Sequence, residues 1–342
     1  MKNCLWGFFL SFFWLGSACS CAVSPWPDGS VRLLAWNVEN LFDDQSDGHE
    51  YPEFVPGASW NTSAFWERCQ RIGDVLRALP DGGADLVALE EIENENTLRV
   101  LRERFLDGLG YRYFVMPPDS GTSVRVALLS RFPFVRTGVF YPRQGEDGEP
   151  SRAVLEAEVQ TSAGVLVVLV NHWKSRQPDP QLTERSRANA AFVLNRRLEA
   201  HLGDPSFPLV VAVGDFNADV KLSSELEQPC LRPAQTKVSP PGADWLDVWT
   251  EASAAARSGQ GWYDAWQGGS TIPGTYYYDG KWSRLDHVFA AAASLGRASR
   301  SVTAVPWGNK TLLNAQGTPR AWSLKDRKGG SDHLPLWVTI SL

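Results

Sequence analysis

No basic run interrupts this sequence. Its 342 residues carry 33 Lys and Arg against 39 Asp and Glu, a net charge of −6. A protein that grips nucleic acid by non-specific attraction to phosphates shows a basic face. The charge therefore counts against that mode of binding unless folding gathers arginines from separate segments, and it leaves phosphoester chemistry in general untouched. Long hydrophobic runs are missing after the N-terminus, where no segment reaches the ~18–20 uninterrupted apolar residues of a membrane span. Cysteine is scarce, five in all, and only Cys69 and Cys230 fall in the expected globular part. Neither has metal-type spacing. Pairing between them in an oxidising compartment is left open. No repeat or low-complexity tract appears.

What is present begins with Met1-Lys2-Asn3, an apolar stretch from Cys4 to Leu15, and then Gly16, Ser17 and Ala18. One positive charge, a short apolar core and small residues describe a signal peptide over residues 1–20. Cys19, after Leu15-Gly16-Ser17-Ala18, resembles a loose bacterial lipobox, with the leucine one place too far upstream and Cys21 as a competitor. The expectation is an exported protein, a periplasmic or surface lipoprotein or else secreted. It would touch a membrane only through an N-terminal lipid anchor. Residues 30–342 would form a single monomeric domain. A hydrophobic content of 43% provides for a sizeable core, and most of the fifteen tryptophans are assigned to it.

Apolar runs at Val31–Trp36, Ala84–Leu89, Val124–Leu129, Ala153–Val159, Val165–Val170, Leu209–Val213, Leu285–Ala290 and Leu334–Ile340 read as strands. Asn61, Thr62 and Ser63 offer N-caps for a helix carrying Ile72, Val75, Leu76 and Leu79, stopped by Pro80-Asp81-Gly82-Gly83. Asn96–Phe105 and Thr183–Leu198 suggest two more helices. Glu39–Ser59 reads as a long loop, a turn is expected around Gly145–Gly148, and Val220–Lys281 reads as a long irregular section. His49 and His201 are expected on the surface.

One regularity outweighs the individual elements. Strand after strand ends on Asn, Glu, His or Asp, and strand ends on one edge of a layered fold bring such groups together. Phosphoester hydrolysis needs a divalent cation on oxygen ligands, an oriented water and a stabilised leaving oxygen. Asn37, Glu91 and Asp332 offer oxygen ligands, Asp215 and Asn217 form an Asp-x-Asn pair, and His172 and His333 stand beside them.

Six stretches occur in order: Trp36-Asn37-Val38-Glu39-Asn40-Leu41-Phe42, Leu89-Glu90-Glu91-Ile92, Asn171-His172-Trp173-Lys174-Ser175, Gly214-Asp215-Phe216-Asn217, Leu285-Asp286-His287 and Gly330-Ser331-Asp332-His333-Leu334-Pro335. Together they resemble the motif series of the endonuclease/exonuclease/phosphatase superfamily over nearly the whole chain from Val31. The resemblance is closer to its bacterial exported branch than to pancreatic-type deoxyribonucleases. It implies a four-layered α/β/β/α sandwich with two mixed, largely antiparallel sheets, and a Mg2+-dependent hydrolase of phosphoester bonds, Mn2+ or Ca2+ being alternative ions. By the same resemblance Asn37, Glu91 and Asp332 would serve the metal. His172 would donate to a phosphate oxygen or the leaving group, Asp215 would orient or deprotonate water, and Asn217 would hold the phosphoryl oxygen. Asp286 would orient His333, the candidate general base. Glu90 stands where Gln is common.

His287 should point away from the site if its strand alternates. Lys174, Arg176 and Arg125 are further cations near the motifs. The loop Asp43-Asp44-Gln45-Ser46-Asp47 would repel a DNA backbone, and the aromatic section Trp262–Trp282, with a hairpin turn at Asp279-Gly280, is a candidate substrate rim. The substrate stays open between nucleic acid (an extracytoplasmic nuclease) and lipid or small phosphates (a sphingomyelinase- or phosphatase-like enzyme). A catalytically silent surface binding protein on the same fold is the alternative from another class.

Overall fold

The computed structural model describes residues 29–57, 59–144, 151–203, 208–220, 226, 229–235, 240, 242–266, 270–296 and 300–342. The expected signal peptide, the lipobox cysteines and the turn around Gly145–Gly148 lie outside the described residues. Strands β1 (Val31–Leu41), β2 (Leu86–Ile92), β3 (Tyr113–Val115) and β4 (Arg125–Ser130) are followed by β5 (Phe134–Phe140), β6 (Val154–Thr161), β7 (Gly164–His172) and β8 (Leu209–Asp215). Then come β9 (Leu231–Pro233), β10 (Leu246–Trp249), β11 (Trp262–Asp264), β12 (Tyr276–Tyr278), β13 (Lys281–Ser283), β14 (Asp286–Ala291), β15 (Ser301–Pro306) and β16 (Leu336–Ser341). The helices are α1 (Thr62–Arg77), α2 (Glu95–Val100), α3 (Pro180–Leu202), α4 (Ala252–Ser258) and α5 (Ala292–Leu295).

Two sheets result. One has the order β15-β16-β1-β2-β4-β3, and the other β5-β6-β7-β8-β14-β11-β10-β9. Pairing is antiparallel except for β1 with β2, β7 with β8, and β10 with both its neighbours. Period-two alternation sorts the side chains. Leu33, Leu86 and Leu128 of the first sheet meet Val168, Val211 and Val288 of the second in one buried layer. On the far side of the first sheet, Leu34 and Trp36 pack on Phe65, Ile72 and Leu76 of α1. On the far side of the second, Val167 and Leu169 pack on Ala191 and Leu194 of α3. Each such fully buried Leu or Val contributes about 1.5–3 kcal/mol of hydrophobic stabilisation. The α/β/β/α layering follows from which face of each strand is apolar.

Helix α1 starts where its cap residue dictates: the Asn61 side chain accepts from the Ala64 amide. Several expectations need correction. β1 runs five residues past Trp36, through Glu39 and Asn40 at φ 57° and 56°. The section Val220–Lys281 is not irregular where described: it supplies β9 to β12 and α4, elements too short to leave a periodic signal. β5 and β15 also escape the apolar-run criterion, β5 because it is a half-exposed sheet edge. Cys69 and Cys230 are free and buried in opposite outer layers, under α1 and beside α3, so no disulfide joins them. His201 is buried rather than on the surface, because α3 lays it on Glu156 of β6 at 3.1 Å, where Arg197 also grips the carboxylate. Asp43 is buried too, its carboxylate held by Asn94 and Asn96. Trp36, Trp60, Trp173, Trp262 and Trp322 are interior residues. Among the described residues no helix is long and apolar enough to cross a membrane.

Candidate active site

The two sheets meet at one edge through their strand ends. In the second sheet, pairing sets His172 of β7 beside Asp215 of β8, and Asp215 beside Asp286 of β14. Three polar side chains thus form a row across three neighbouring strands. Gly214, one residue earlier, has φ 123°, and a Cβ there would stand 2.1 Å from the Asn171 carbonyl oxygen and 2.8 Å from Glu90 Oε1. Only glycine fits that approach.

The first sheet answers with two adjacent irregularities. β1 shifts register between Asn37 and Leu41, and β2 between Leu89 and Ile92, where Glu91 takes φ 66°. Bulges re-aim side chains. Here they turn Glu91 across the gap: Asn37 Nδ2 donates to Glu91 Oε1 at 3.0 Å and to Asp215 Oδ2 at 3.2 Å, and the Asn40 amide donates to Glu91 Oε2 at 2.8 Å. His172 Nε2 lies 3.6 Å from Glu91 Oε1 and 3.7 Å from Asp215 Oδ2.

His333 comes from the loop before β16. Its carbonyl accepts from Trp36 Nε1 and its amide donates to Ser331 Oγ, which itself donates to the Asn37 carbonyl. The ring is thereby fixed with Nδ1 2.7 Å from Asp286 Oδ2 and Nε2 3.9 Å from Asp215 Oδ2. Tyr276 of β12 packs against it, ring centroids 4.8 Å apart. Asn217, at φ 47°, donates its amide hydrogens to Asp215 Oδ2 and the Trp173 carbonyl.

Burial and like charges set the protonation of this cluster. Asp215 is pushed up to about 7 by burial, with His333 pulling it down and Asp286 pushing it up. Burial also raises Glu91, and Asp332 adds to the rise. Glu39 reaches about 7 through burial and Asp332. Burial, Arg152 and His333 hold His172 well below its ordinary value, so it is neutral. For His333, burial pulls downward, but Asp286 and Asp215 more than offset it and the ring stays charged.

All eight residues singled out by the motifs therefore converge at this edge: Asn37, Glu91, His172, Asp215, Asn217, Asp286, Asp332 and His333. Six of them line a cavity of about 570 Å³, with Asn37 and Asp286 bonded just behind its wall. Arg152, Arg176, Lys281, Tyr276 and Tyr278 line it as well. His287 points away as expected, held by Asp264 and the Ala218 carbonyl. Arg125 is committed to the Glu93 carbonyl.

Four participants had no role assigned from the motifs, although Glu39 stands inside the first of those motifs. Arg152 Nη1 sits 2.6 Å from His172 Nε2. Because guanidinium only donates, that nitrogen accepts. Glu39 Oε2 accepts from the amides of Trp322 and Asp332, tying the β1 bulge to the loop that carries Asp332. Arg68 of α1 is fully buried and donates to the Gly330, Val38 and Glu39 carbonyls, clamping the same loop and bulge. Burial lowers its guanidinium to about 10. An arginine on the apolar stripe of α1, four residues before Ile72, was its available signal. Tyr276 completes the set.

The residues fit a divalent cation. Glu39, Glu91 and Asp332 are oxygen donors: Asp332 raises both glutamates and Glu91 adds to the rise of Glu39, an arrangement a hard cation relieves. Asp215, Asp286 and His333 also bring ligand-type atoms within 4.8 Å of one another, but a hydrogen bond already joins Asp286 Oδ2 to His333 Nδ1.

Comparison with known proteins agrees with this architecture. The model of the Endonuclease/Exonuclease/phosphatase family matches residues 34–333. Among solved structures, a family protein from Bacteroides thetaiotaomicron is 16% identical with TM-score 0.56, covering 92% of this chain and 98% of its own. Beta toxin from Staphylococcus aureus is 15% identical with TM-score 0.56, covering 90% and 99%. TDP2 from D. rerio, complexed with single-strand DNA product, is 15% identical with TM-score 0.55, covering 92% and 100%. No curated protein sequence matches the chain.

Proposed function

The chain belongs to the endonuclease/exonuclease/phosphatase family, whose members are metal-dependent phosphoesterases, and we propose that it is an Mg2+-dependent phosphodiesterase of nuclease type. The carrying observation is the meeting of Glu91 from one sheet with the His172–Asp215–Asp286 row of the other. Glu91 and Asp332, backed by Glu39, would hold the ion. Asn37 presents its nitrogen to Glu91 and its oxygen to the Glu39 amide at 3.0 Å, so it orients the carboxylate. When bound, the cation polarises a phosphoryl oxygen and offsets its negative charge.

The protein groups then divide the work. A base is most useful when its pKa lies near the working pH. Asp215 near 7 meets that condition and takes the proton of the attacking water, whereas His333, kept charged by Asp286, stabilises phosphoryl charge. Asn217 positions Asp215 with two hydrogen bonds. An entering phosphate draws Arg152 away from His172 onto a phosphoryl oxygen, and His172 can donate to another once its ring proton sits on Nε2. Tyr278, 70% exposed at the tip of the β12–β13 hairpin, offers a stacking face beside Arg176 and Lys281. That pairing of aromatic rim and cations supports nucleic acid over a small phosphate as substrate. In the same reading the enzyme is exported and monomeric, with residues 30–342 as one catalytic unit.

The test is a panel of plasmid DNA, RNA, sphingomyelin and phosphoinositides, run with Mg2+ and with chelator. Chelator-sensitive cleavage of nucleic acid is the expected outcome. Cleavage of lipid alone would replace the nuclease reading, and no turnover anywhere would remove the hydrolase assignment.

A further inference from the structure

Outside the active-site cavity, the segment after β1 folds against the end of β2 and gathers three carboxylates. Asp47, Glu50 and Glu93 each bring a carboxylate oxygen within 4.8 Å of the other two. The loop is shaped by its own backbone: the amides of Asp47 and Gly48 donate to the Glu50 carboxylate, and the His49 amide donates to Asp47 Oδ1. Such turns are common and make no site by themselves.

Glu93 is the independent observation. It is only 2% exposed, and its Oε1 has no hydrogen-bond partner, whereas Oε2 accepts from the Asp43 amide and Thr97 Oγ1. A buried oxygen deprived of both water and donor is costly. A buried carboxylate facing two more carboxylates is costlier, and among the described residues no Lys, Arg or His pairs with any of the three. Burial and the neighbouring acids push Glu93 up to about 8, and either a proton or a cation on their shared side would remove that cost.

We propose that Asp47, Glu50 and Glu93 form a second cation site, distinct from the active-site ion, that takes Ca2+. Calcium accepts six to eight oxygens in adaptable geometry, which suits two carboxylates on an exposed loop, one buried carboxylate and water. Magnesium demands a near-regular octahedron. The bound ion ties the loop following β1 to the corner following β2. These are the two strands whose bulges aim Asn37 and Glu91. The site therefore acts as a brace for the active-site edge and supplies no reacting group.

Calcium titration by calorimetry tests this on the full chain carrying Glu91→Gln, so that the active-site carboxylate does not compete, with and without Asp47→Asn plus Glu50→Gln. One Ca2+ per chain is expected, with Kd of about 10⁻⁵–10⁻³ M, weakened roughly tenfold or more by the added pair. Calcium should also raise the thermal midpoint of the first protein and not of the second. Absent binding, equal affinity in both proteins, or an equal response to Mg2+ overturns the proposal. Circular dichroism verifies folding, and Asp47→Asn alone serves if the pair misfolds. Because turnover is not the readout, failure here leaves the phosphodiesterase reading standing.

Discussion

Two clusters of acid and histidine lie on the same eight-stranded sheet and behave differently. On its outer face Glu156 meets His201 at 3.1 Å and Arg197 grips it with two nitrogens, at 2.7 and 2.9 Å. At its edge Asp215, Asp286 and His333 gather beside Glu91 and Glu90, and acids outnumber bases. Residue type does not separate them; compensation does. The outer cluster has its charge matched and its carboxylate held below the ordinary range, burial being outweighed by His201 and Arg197. The edge cluster keeps excess negative charge, raised carboxyls and an open cavity, which is how a site that waits for a cation and a proton differs from an ion pair that binds two layers.

The comparison breaks most easily at its largest effect. His333→Ala or Asp215→Asn should each lower kcat by about 10²–10⁴-fold, measured on the best substrate of the panel, while the thermal midpoint stays near that of the parent. Loss of fold in both variants would make the edge cluster structural after all. Next in size, Glu156→Gln should cost about 3 kcal/mol in urea unfolding, because it leaves Arg197 and His201 without their carboxylate, and should leave kcat per folded molecule unchanged. A catalytic defect there would erase the distinction.

The smallest effect is the pH dependence of that stability. A carboxyl with a lowered folded-state pKa stabilises fully above its unfolded value of about 4.5 and loses its contribution as pH falls through the folded value. Acid unfolding of the parent should therefore steepen below about pH 4.5 by an increment that Glu156→Gln lacks. Identical acid limbs would mean that Glu156 is not held in its charged form by its partners.

The edge cluster was readable in the sequence because its members end apolar strands. A polar residue at the close of Val165–Val170 or Leu209–Val213 stands out against the run before it, and the order of six such endings carries the fold with it. The outer cluster was not readable. Glu156 falls in the middle of a strand and His201 near the end of a helix, and only the packing of α3 on β6 unites them. Arg152 escaped for a related reason: it stands before the start of the Ala153–Val159 run rather than at a strand's polar close, and its meaning comes from His172, twenty positions away. Bulges were likewise hidden. The turn of β1 through Glu39 and Asn40 costs backbone energy that no residue pattern announces.

The pairing of β1 with β16 has a consequence in time. Asn37 is made long before Asp332 and His333, which follow it by almost three hundred positions. Ser331, which fastens His333 to the Asn37 carbonyl, comes with them. During synthesis the unfinished molecule thus carries Glu91, Asp215 and Asp286 without the histidine that stands beside them. The row of Asp215, Asp286 and His333 is complete only when β16 closes against β1.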